Sequence, residues 1–441
     1  MGRFRSLLEK LSGGTGQATV IKLAAVVAAY ALFAMTARVM SISDFGQFSF
    51  SYSLATLGAL IAGLGLNNTI LRFLPQYEEQ DRKPLAAHVT HWTYRRSLLS
   101  ALLASTLCIA GAILLKITTS AQVDYLVATS FLLGLLVMGQ FYSGLLRAQG
   151  AVFRALFPFE VLWRAVLALC AAGSLWQGMQ LTSAQGLWAC VVTLGVVVVY
   201  QARIARITSN SQHEKHGANE AASADGWWKV SITLGVTSVL FLAPRQVDVV
   251  ILGAVLGPET TGTYFAAVRT AAVLIVFMQA ANAIGAPQIA RAYHSERRDE
   301  VEDIAHRLVR AVAIQALPAF AVVAFLGDTF LAVFGPEYVS VHGILIVLAF
   351  SNLVSTLTGP TYRLLSMTGH EALYLKWLAF SYSVGTLLRI IVLLFTANLF
   401  HFACLSALTT IFTACGAAWL TRKHLGFDPS IFSALVSLRG K

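Results

Sequence analysis

The sequence predicts an all-α membrane protein of about twelve transmembrane helices in two parallel six-helix repeats. Three observations carry that prediction: composition, the length of the apolar runs, and short motifs that recur between the two halves. Hydrophobic residues make up 57% of the 441-residue chain and charged residues only 12%, against roughly 25% in ordinary soluble domains. Mean hydropathy is +0.69. A soluble enzyme is excluded. Apolar runs such as Ala24 to Ala37, Phe48 to Leu66 and Leu98 to Leu115 recur along the chain, and several approach the roughly 20 residues needed to cross a bilayer. Backbone polar groups in hydrocarbon must be satisfied within the spanning structure, so each run is a helix or a strand of a closed barrel. The runs are continuous and do not alternate apolar with polar, which excludes barrel strands.

Cutting the chain at polar and Gly/Pro breaks gives spans at 18–40, 45–71, 97–117, 124–147, 155–176, 182–204, 228–256, 259–285, 306–327, 341–365, 373–397 and 401–420. The first span passes into the second through a brief SISDFGQ turn with no small-residue cleavage site, so it reads as a retained helix and not a secretory signal. The five cysteines, Cys108, Cys170, Cys190, Cys404 and Cys415, all fall inside spans without CxxC spacing. They read as small core residues, with neither a disulfide framework nor a metal site.

Orientation follows from Lys and Arg, which accumulate in cytoplasmic connections. One set of connections and flanking helix ends carries most of the 32 basic residues. These are Arg3, Arg5 and Lys10; Arg72, Arg82, Lys83, Arg95 and Arg96; Arg147 and Arg154; Arg203, Arg206, Lys215 and Lys229; Arg291, Arg297, Arg298, Arg307 and Arg310; Arg363 and Lys376; and Arg422, Lys423, Arg439 and Lys441. The alternate connections have Lys116 at a span edge. Both termini are therefore expected on the cytoplasmic side of the membrane. The net charge of +11 is mostly this bias, and no nucleic-acid partner is needed to explain it.

The longest polar stretch, between Arg203 and Gly226, is rich in Ser, Asn, Gly and Ala and suits a flexible linker. It sets the expected organisation: a six-helix bundle over 1–206, a cytoplasmic linker over 207–226, a second bundle over 227–423 and a cytoplasmic tail over 424–441. His213 and His216 in the linker, and His88 and His91, have spacings that a metal could use, but solvated positions are the better reading. The halves share motifs at nearly the same offset. SDFGQFSFSYSLATL at the start of the second span matches PETTGTYFAAVRTAAVL at the start of the eighth, pairing Gly46 with Gly262. YSGLLRAQG before the fifth span matches YRLLSMTGH before the eleventh, pairing Gly150 with Gly369. Six helices is an even number, so both halves enter the membrane from the same side as parallel repeats, an architecture of alternating-access carriers.

The segments Ser43 to Tyr77 (SDFGQFSFSYSLATLGALIAGLGLNNTILRFLPQY) and Val247 to Ala271 (VDVVILGAVLGPETTGTYFAAVRTA) resemble the Wzx-type polysaccharide-unit flippases of the multidrug/oligosaccharidyl-lipid/polysaccharide exporter superfamily. With the twelve-helix plan the resemblance covers nearly the whole chain. It implies a V-shaped pair of six-helix bundles around a central, commonly cationic cavity that opens alternately to cytoplasm and periplasm. The implied substrate is an undecaprenyl-diphosphate-linked oligosaccharide for O-antigen or exopolysaccharide biosynthesis. A polysaccharide polymerase and a chain-length regulator are candidate partners beside the membrane lipids.

Charged residues inside spans are costly, about 2.5–3.5 kcal/mol for a central Arg or Lys on insertion scales, and so face a cavity or a partner. Six cations qualify: Lys22, Arg38, Arg164, Arg245, Arg269 and Arg389. Lys22 and Arg38 lie near the ends of the first span, where long side chains also snorkel to the interface. Arg164 follows Glu160 by four residues and Arg245 precedes Asp248 by three, so each pair is either a structural bridge or a coupling element. Asp248 also sits at an acidic position that the resemblance places in the seventh helix. The eleventh span around Arg389 has no acid of its own, and Glu259 lies nearly three turns from Arg269. Their counter-charge is an interhelical acid such as Asp248 or Glu160, or the diphosphate of a substrate, which the planar Arg fork can engage bidentately. Ala59 and Gly63, four apart in ALIAGLGL, suit close helix packing. Tyr52, Tyr142, Tyr264, Tyr362 and Tyr382 are candidate sugar-stacking residues, and Pro244, Pro318 and Pro360 are candidate kinks.

No GxxxxGK[ST] phosphate loop occurs, and SGGTGQAT near the amino end lacks the lysine, so no ATP-driven or other cofactor chemistry is expected. A membrane glycosyltransferase or polymerase would need catalytic groups on a large extracytoplasmic loop, and the longest such connection is about Gly327 to Ser340. A cation or drug antiporter of the same fold is the nearer rival, but it would expose carboxylates where this chain has arginines.

Overall fold

The computed structural model describes residues 14–119, 124–205, 219–295 and 297–439. All regular structure among the described residues is helical. Among the described residues, eleven helices are long and apolar enough to cross a membrane, or up to twelve when one bent pair counts as a single span. The protein is a multi-pass membrane protein of the expected class. Arg3, Arg5, Lys10, Arg206, His213, Lys215, His216, Lys441 and most of the expected linker lie outside the described residues.

The helices are α1 Gly14–Val39, α2 Ile42–Ala62, α3 Leu66–Glu79, α4 Lys83–Thr119, α5 Asp124–Ala148, α6 Val152–Leu156, α7 Trp163–Trp176, α8 Ser183–Ile204 and α9 Asn219–Val255. There follow α10 Pro258–Ala271, α11 Val273–His294, α12 Arg298–Ala332, α13 His342–Leu357, α14 Thr361–Met367, α15 Glu371–Thr396, α16 Leu399–Leu425 and α17 Ile431–Arg439.

Several expected spans differ in form. The run at 45–71 is two helices, α2 and α3, bent by 43°. The cause is local: the Gly63 N–H donates to the Ala59 carbonyl and closes α2, and Leu64 (φ 47°) and Gly65 (φ 70°) then turn the chain through left-handed backbone. Secondly, α4 and α12, 37 and 35 residues long, extend amino-terminally well beyond the expected 97–117 and 306–327. Their extra turns carry charge at helical spacing, which hydropathy alone does not register. In the fifth span, α6 and α7 are joined by a π-helical segment, Phe157–Leu162, at Pro158. Proline's missing N–H removes one ladder bond there.

The repeat is visible in the backbone. Gly150 (φ 79°) and Gly369 (φ 82°) both follow the end of a helix in left-handed conformation. The next residue in each case bonds back to the last turn, Ala151 to the Leu146 carbonyl and His370 to the Leu365 carbonyl, both at 2.8 Å. This six-to-one closure is a Schellman cap. Gly46 and Gly262 are both buried near the starts of α2 and α10.

Contacts divide the chain into two compact units, Met1–Gly253 and Ala254–Lys441. Most of α9, the seventh span, therefore packs with the first unit, whereas the sequence expectation started the second bundle at 227. A continuous seam against α3 explains this. Trp227 Nε1 donates to the Tyr77 hydroxyl (2.9 Å), Ser231 Oγ to the Leu64 carbonyl (2.7 Å) and Asn68 Nδ2 to Ser238 Oγ (3.3 Å). Between these bonds a side chain on Gly65 would meet the Gly235 backbone at 2.4 Å, so only glycine fits the crossing. In the second unit Asn352 Nδ2 donates to the Ala271 carbonyl at 3.0 Å. That bond satisfies a carbonyl at the α10–α11 junction.

Candidate functional site

Glu160 lies in the π-helical segment and Arg164 in the first turn of α7. The π turn leaves them on one face: Arg164 NH1 is 3.1 Å from Glu160 Oε2 and also donates to the Glu160 carbonyl. Both side chains are partly buried. The guanidinium lies 5.0 Å from the centre of the Trp163 ring, and that ring is itself fixed by Nε1 donating to the Phe159 carbonyl (2.7 Å). Tyr52 of α2 also interacts with Arg164, and Arg147 at the end of α5 interacts with Glu160. Tyr52 is wedged against Phe33, with ring centres 5.1 Å apart. The cluster thus gathers two guanidiniums, one carboxylate and a phenol. Arg147 was read from sequence as a connection cation, because it stands at a helix end and its approach to Glu160 depends on tertiary packing.

In the second unit, Arg269 occupies the last turn of α10, half-buried, its guanidinium 4.5 Å from the centre of the fully buried Phe265 ring. Arg389, in the carboxyl-terminal half of α15, is only 2% exposed. Its Nε donates to the Gly385 carbonyl (3.1 Å), NH2 to Thr386 Oγ1 (2.7 Å) and NH1 to Ser406 Oγ on α16 (3.2 Å). Its guanidinium carbon lies 5.9 Å from the centre of the Phe402 ring. Phe402 meets Tyr264 edge-on at 5.8 Å. Adjacent aromatic residues of α10, Tyr264 and Phe265, therefore back one arginine each, the first through Phe402 and the second directly.

The other sequence candidates are placed separately. Lys22 and Arg38 are exposed on α1, and Arg245 is exposed just after Pro244 in α9, while Asp248 one turn on is 4% exposed. Among the tyrosines, Tyr52, Tyr142 and Tyr264 are buried and Tyr362 and Tyr382 are partly buried. His88 lies tilted against Trp227, ring centres 5.2 Å apart, and His91 is exposed. No group of three or more His, Cys, Asp or Glu that could hold a metal occurs among the described residues. All five cysteines are free, and the expectation that they are core residues holds only for Cys190. Cys170 and Cys415 are exposed on spans, where a thiol is apolar enough to face lipid.

The model of a family described as polysaccharide biosynthesis protein matches residues 13–292. The chain belongs to this polysaccharide biosynthesis protein family. No curated protein matches it. Among solved structures, an inward-facing multidrug resistance MATE family transporter of the MOP superfamily superposes with a TM-score of 0.74 at 13% identity, covering 92% of this chain and 98% of that one. An outward-facing structure of such a transporter gives 0.63 at 14% identity, covering 94% and 95%. A MOP superfamily transporter from Pyrococcus furiosus, described as having a binding pocket of reverse polarity that suggests a different function, gives 0.63 at 14% identity, covering 94% and 97%. This member of the polysaccharide biosynthesis protein family therefore has the MOP-superfamily transporter fold.

Chemically, the two arginine clusters offer planar donor forks seated on rigid aromatic rings. Stacking uses the face of a guanidinium and leaves its edge directed at acceptors. Such an edge suits phosphate oxygens better than it suits a cationic or neutral solute.

Proposed function

We propose that this protein is a flippase that carries undecaprenyl-diphosphate-linked oligosaccharide units from the cytoplasmic to the periplasmic leaflet by alternating access, supplying surface polysaccharide synthesis. It is read as an inner-membrane transporter with both termini cytoplasmic, and not as an enzyme. Membership of the polysaccharide biosynthesis family and the MOP fold support the reading. The observation that carries it is the chemistry of the spans: arginines inside candidate membrane spans, Arg164 and Arg269, partly buried on fixed aromatic rings. A charge in hydrocarbon is retained against a large insertion cost, so it marks a path for a complementary charge.

In this reading Arg164 in the first unit and Arg269 in the second are each a candidate contact for the diphosphate. Arg389, shielded behind Phe402, contributes its field through a low-dielectric interior without touching the substrate. Glu160 and Asp248 are the carboxylates available for ion coupling, and Lys22, Arg38 and Arg245 are peripheral cations that the headgroup passes. The polymerase and chain-length regulator of the same polysaccharide are the proposed protein partners.

The test is extraction of lipid-linked intermediates from cells lacking the gene, with and without re-expression. Accumulation of a complete diphosphate-linked unit, cleared on re-expression, is the expected outcome. Absence of any intermediate together with new sensitivity to cationic drugs would replace the flippase by a drug antiporter.

A further inference from the structure

The segment after the last span, expected only as a tail, is folded back onto the second unit. Gly426 (φ 85°) ends α16, and Phe427 and Asp428 then run against α12. The buried His306 ring of α12 bonds through Nε2 to the Asp428 carbonyl at 2.8 Å and meets the Phe427 ring edge-on at 6.3 Å. Pro429 packs so tightly against Gly359, between α13 and α14, that a side chain there would meet the Pro429 carbonyl oxygen at 2.3 Å. Asp428 Oδ1 accepts from the Ser430 amide (2.8 Å), turning the chain into α17.

Helix α17 has nine residues, far too few to cross a bilayer at 1.5 Å of rise each. Its sides differ in a definite way. Ile431 and Ala434 are buried against Val309 and Ala313 of α12, with Leu357 beside them. Phe432, Leu435 and Val436, at i, i+3 and i+4, form a second apolar face and are 77%, 52% and 71% exposed. Ser433, partly buried, lies on the third side. A helix clamped on one side by protein, polar on another and apolar on the third fits the boundary between headgroups and acyl chains. Its surroundings carry matching charge. Arg422 and Lys423 end α16, and Arg307 and Arg310 lie on α12 beside Val309, all on the side that the Lys/Arg bias assigns to the cytoplasm.

We propose that α17 is an interfacial anchor: Phe432, Leu435 and Val436 insert into the acyl boundary of the cytoplasmic leaflet, and the neighbouring basic residues hold its anionic phospholipid headgroups. The anchor fixes the depth of the α12 amino-terminal half and of the α13–α14 turn through His306 and Pro429. It rests on the membrane fold alone and is independent of the substrate.

A benzophenone amino acid placed in the full-length protein at Phe432, at Val436 and, as control, at Ser433 tests this by photocrosslinking in cell membranes. Phospholipid adducts several-fold more abundant from 432 and 436 than from 433 are expected. Adducts to a second copy or to another protein, or equal yields at all three positions, overturn the proposal. As a second measurement, Phe432→Asp with Val436→Asp should cut the lipid adducts from a probe at Leu435 several-fold while the detergent-purified protein keeps its monodisperse elution. Unchanged adducts in that variant also overturn it.

Discussion

Arg164 and Arg389 are both arginines in membrane spans, one in each compact unit, yet they are accommodated in opposite ways. Arg164 is partly exposed and lies beside the Glu160 carboxylate in a π-helical turn. Arg389 is buried among a carbonyl, two hydroxyls and an aromatic ring. A guanidinium beside a carboxylate forms a locally compensated dipole that can exchange its partner for a substrate phosphate. Dipoles that surround a buried guanidinium fix it in place, so its influence is exerted through the field. The difference separates contact from support, and the separation can be tested.

The largest effect is expected where contact is lost in both units. Charge-assisted hydrogen bonds contribute roughly 1.5–3 kcal/mol each, so Arg164→Ala with Arg269→Ala should lower transport of a diphosphate-linked unit by about a hundredfold or more. The measurement is the clearance rate of the accumulated intermediate at matched protein level. A loss under threefold would remove both residues from the substrate path.

Arg389 should break the comparison through stability. Arg389→Ala leaves Ser406 and Thr386 without their donor and opens a cavity, an expected loss of about 2–4 kcal/mol. Arg389→Met keeps most of the side-chain volume without a buried charge and should be close to neutral in stability. If Arg389 acts through its charge, the methionine variant unfolds like wild type but transports more slowly. Equal transport in wild type and the methionine variant would make Arg389 a packing residue.

The Arg164–Glu160 pair sharpens the other side. Arg164→Ala, Glu160→Gln and the double variant form a cycle whose coupling should be about 1–2 kcal/mol, reduced from a fully buried pair by the partial exposure of Glu160. Thermal unfolding of the three proteins reads that coupling. Glu160→Gln should also slow any ion-coupled step while leaving headgroup binding intact, because it removes the carboxylate and keeps both neighbouring guanidiniums.

Much of this was legible in the sequence because hydropathy reports bilayer-length helices directly. The span at 124–147 emerges as Asp124–Ala148, and that at 182–204 as Ser183–Ile204. The Glu160 and Arg164 spacing likewise announced its contact, since residues four apart share a helix face. What escaped depends on backbone geometry or on distant packing. The bend at Leu64–Gly65 was hidden inside one apolar run, although the GLG sequence was its signal. The Gly65–Gly235 crossing joins residues far apart in the chain, and the contacts of Arg147 with Glu160 and of Arg389 with Ser406 pass from one helical segment to another, so no spacing within a single helix encodes them. The two faces of α17 were present as Ile431/Ala434 and Phe432/Leu435/Val436, but so short a segment carries too little hydropathy to read as anything but a tail.

The smallest predicted effect tests the repeat itself. Gly150 and Gly369 end equivalent helices with the same left-handed turn, and a side chain at either would meet nothing within 4 Å. Steric clash is therefore absent, and only the backbone cost of an L-residue at positive φ remains, roughly 1 kcal/mol. Gly150→Ala and Gly369→Ala should lower the apparent melting temperature by equal, modest amounts. Gly65→Ala should cost clearly more, because the same strain is joined by a collision with the Gly235 backbone. Unequal losses at 150 and 369 would show that one turn bears a load the other does not, and the two halves would then be repeats in topology but not in energetics.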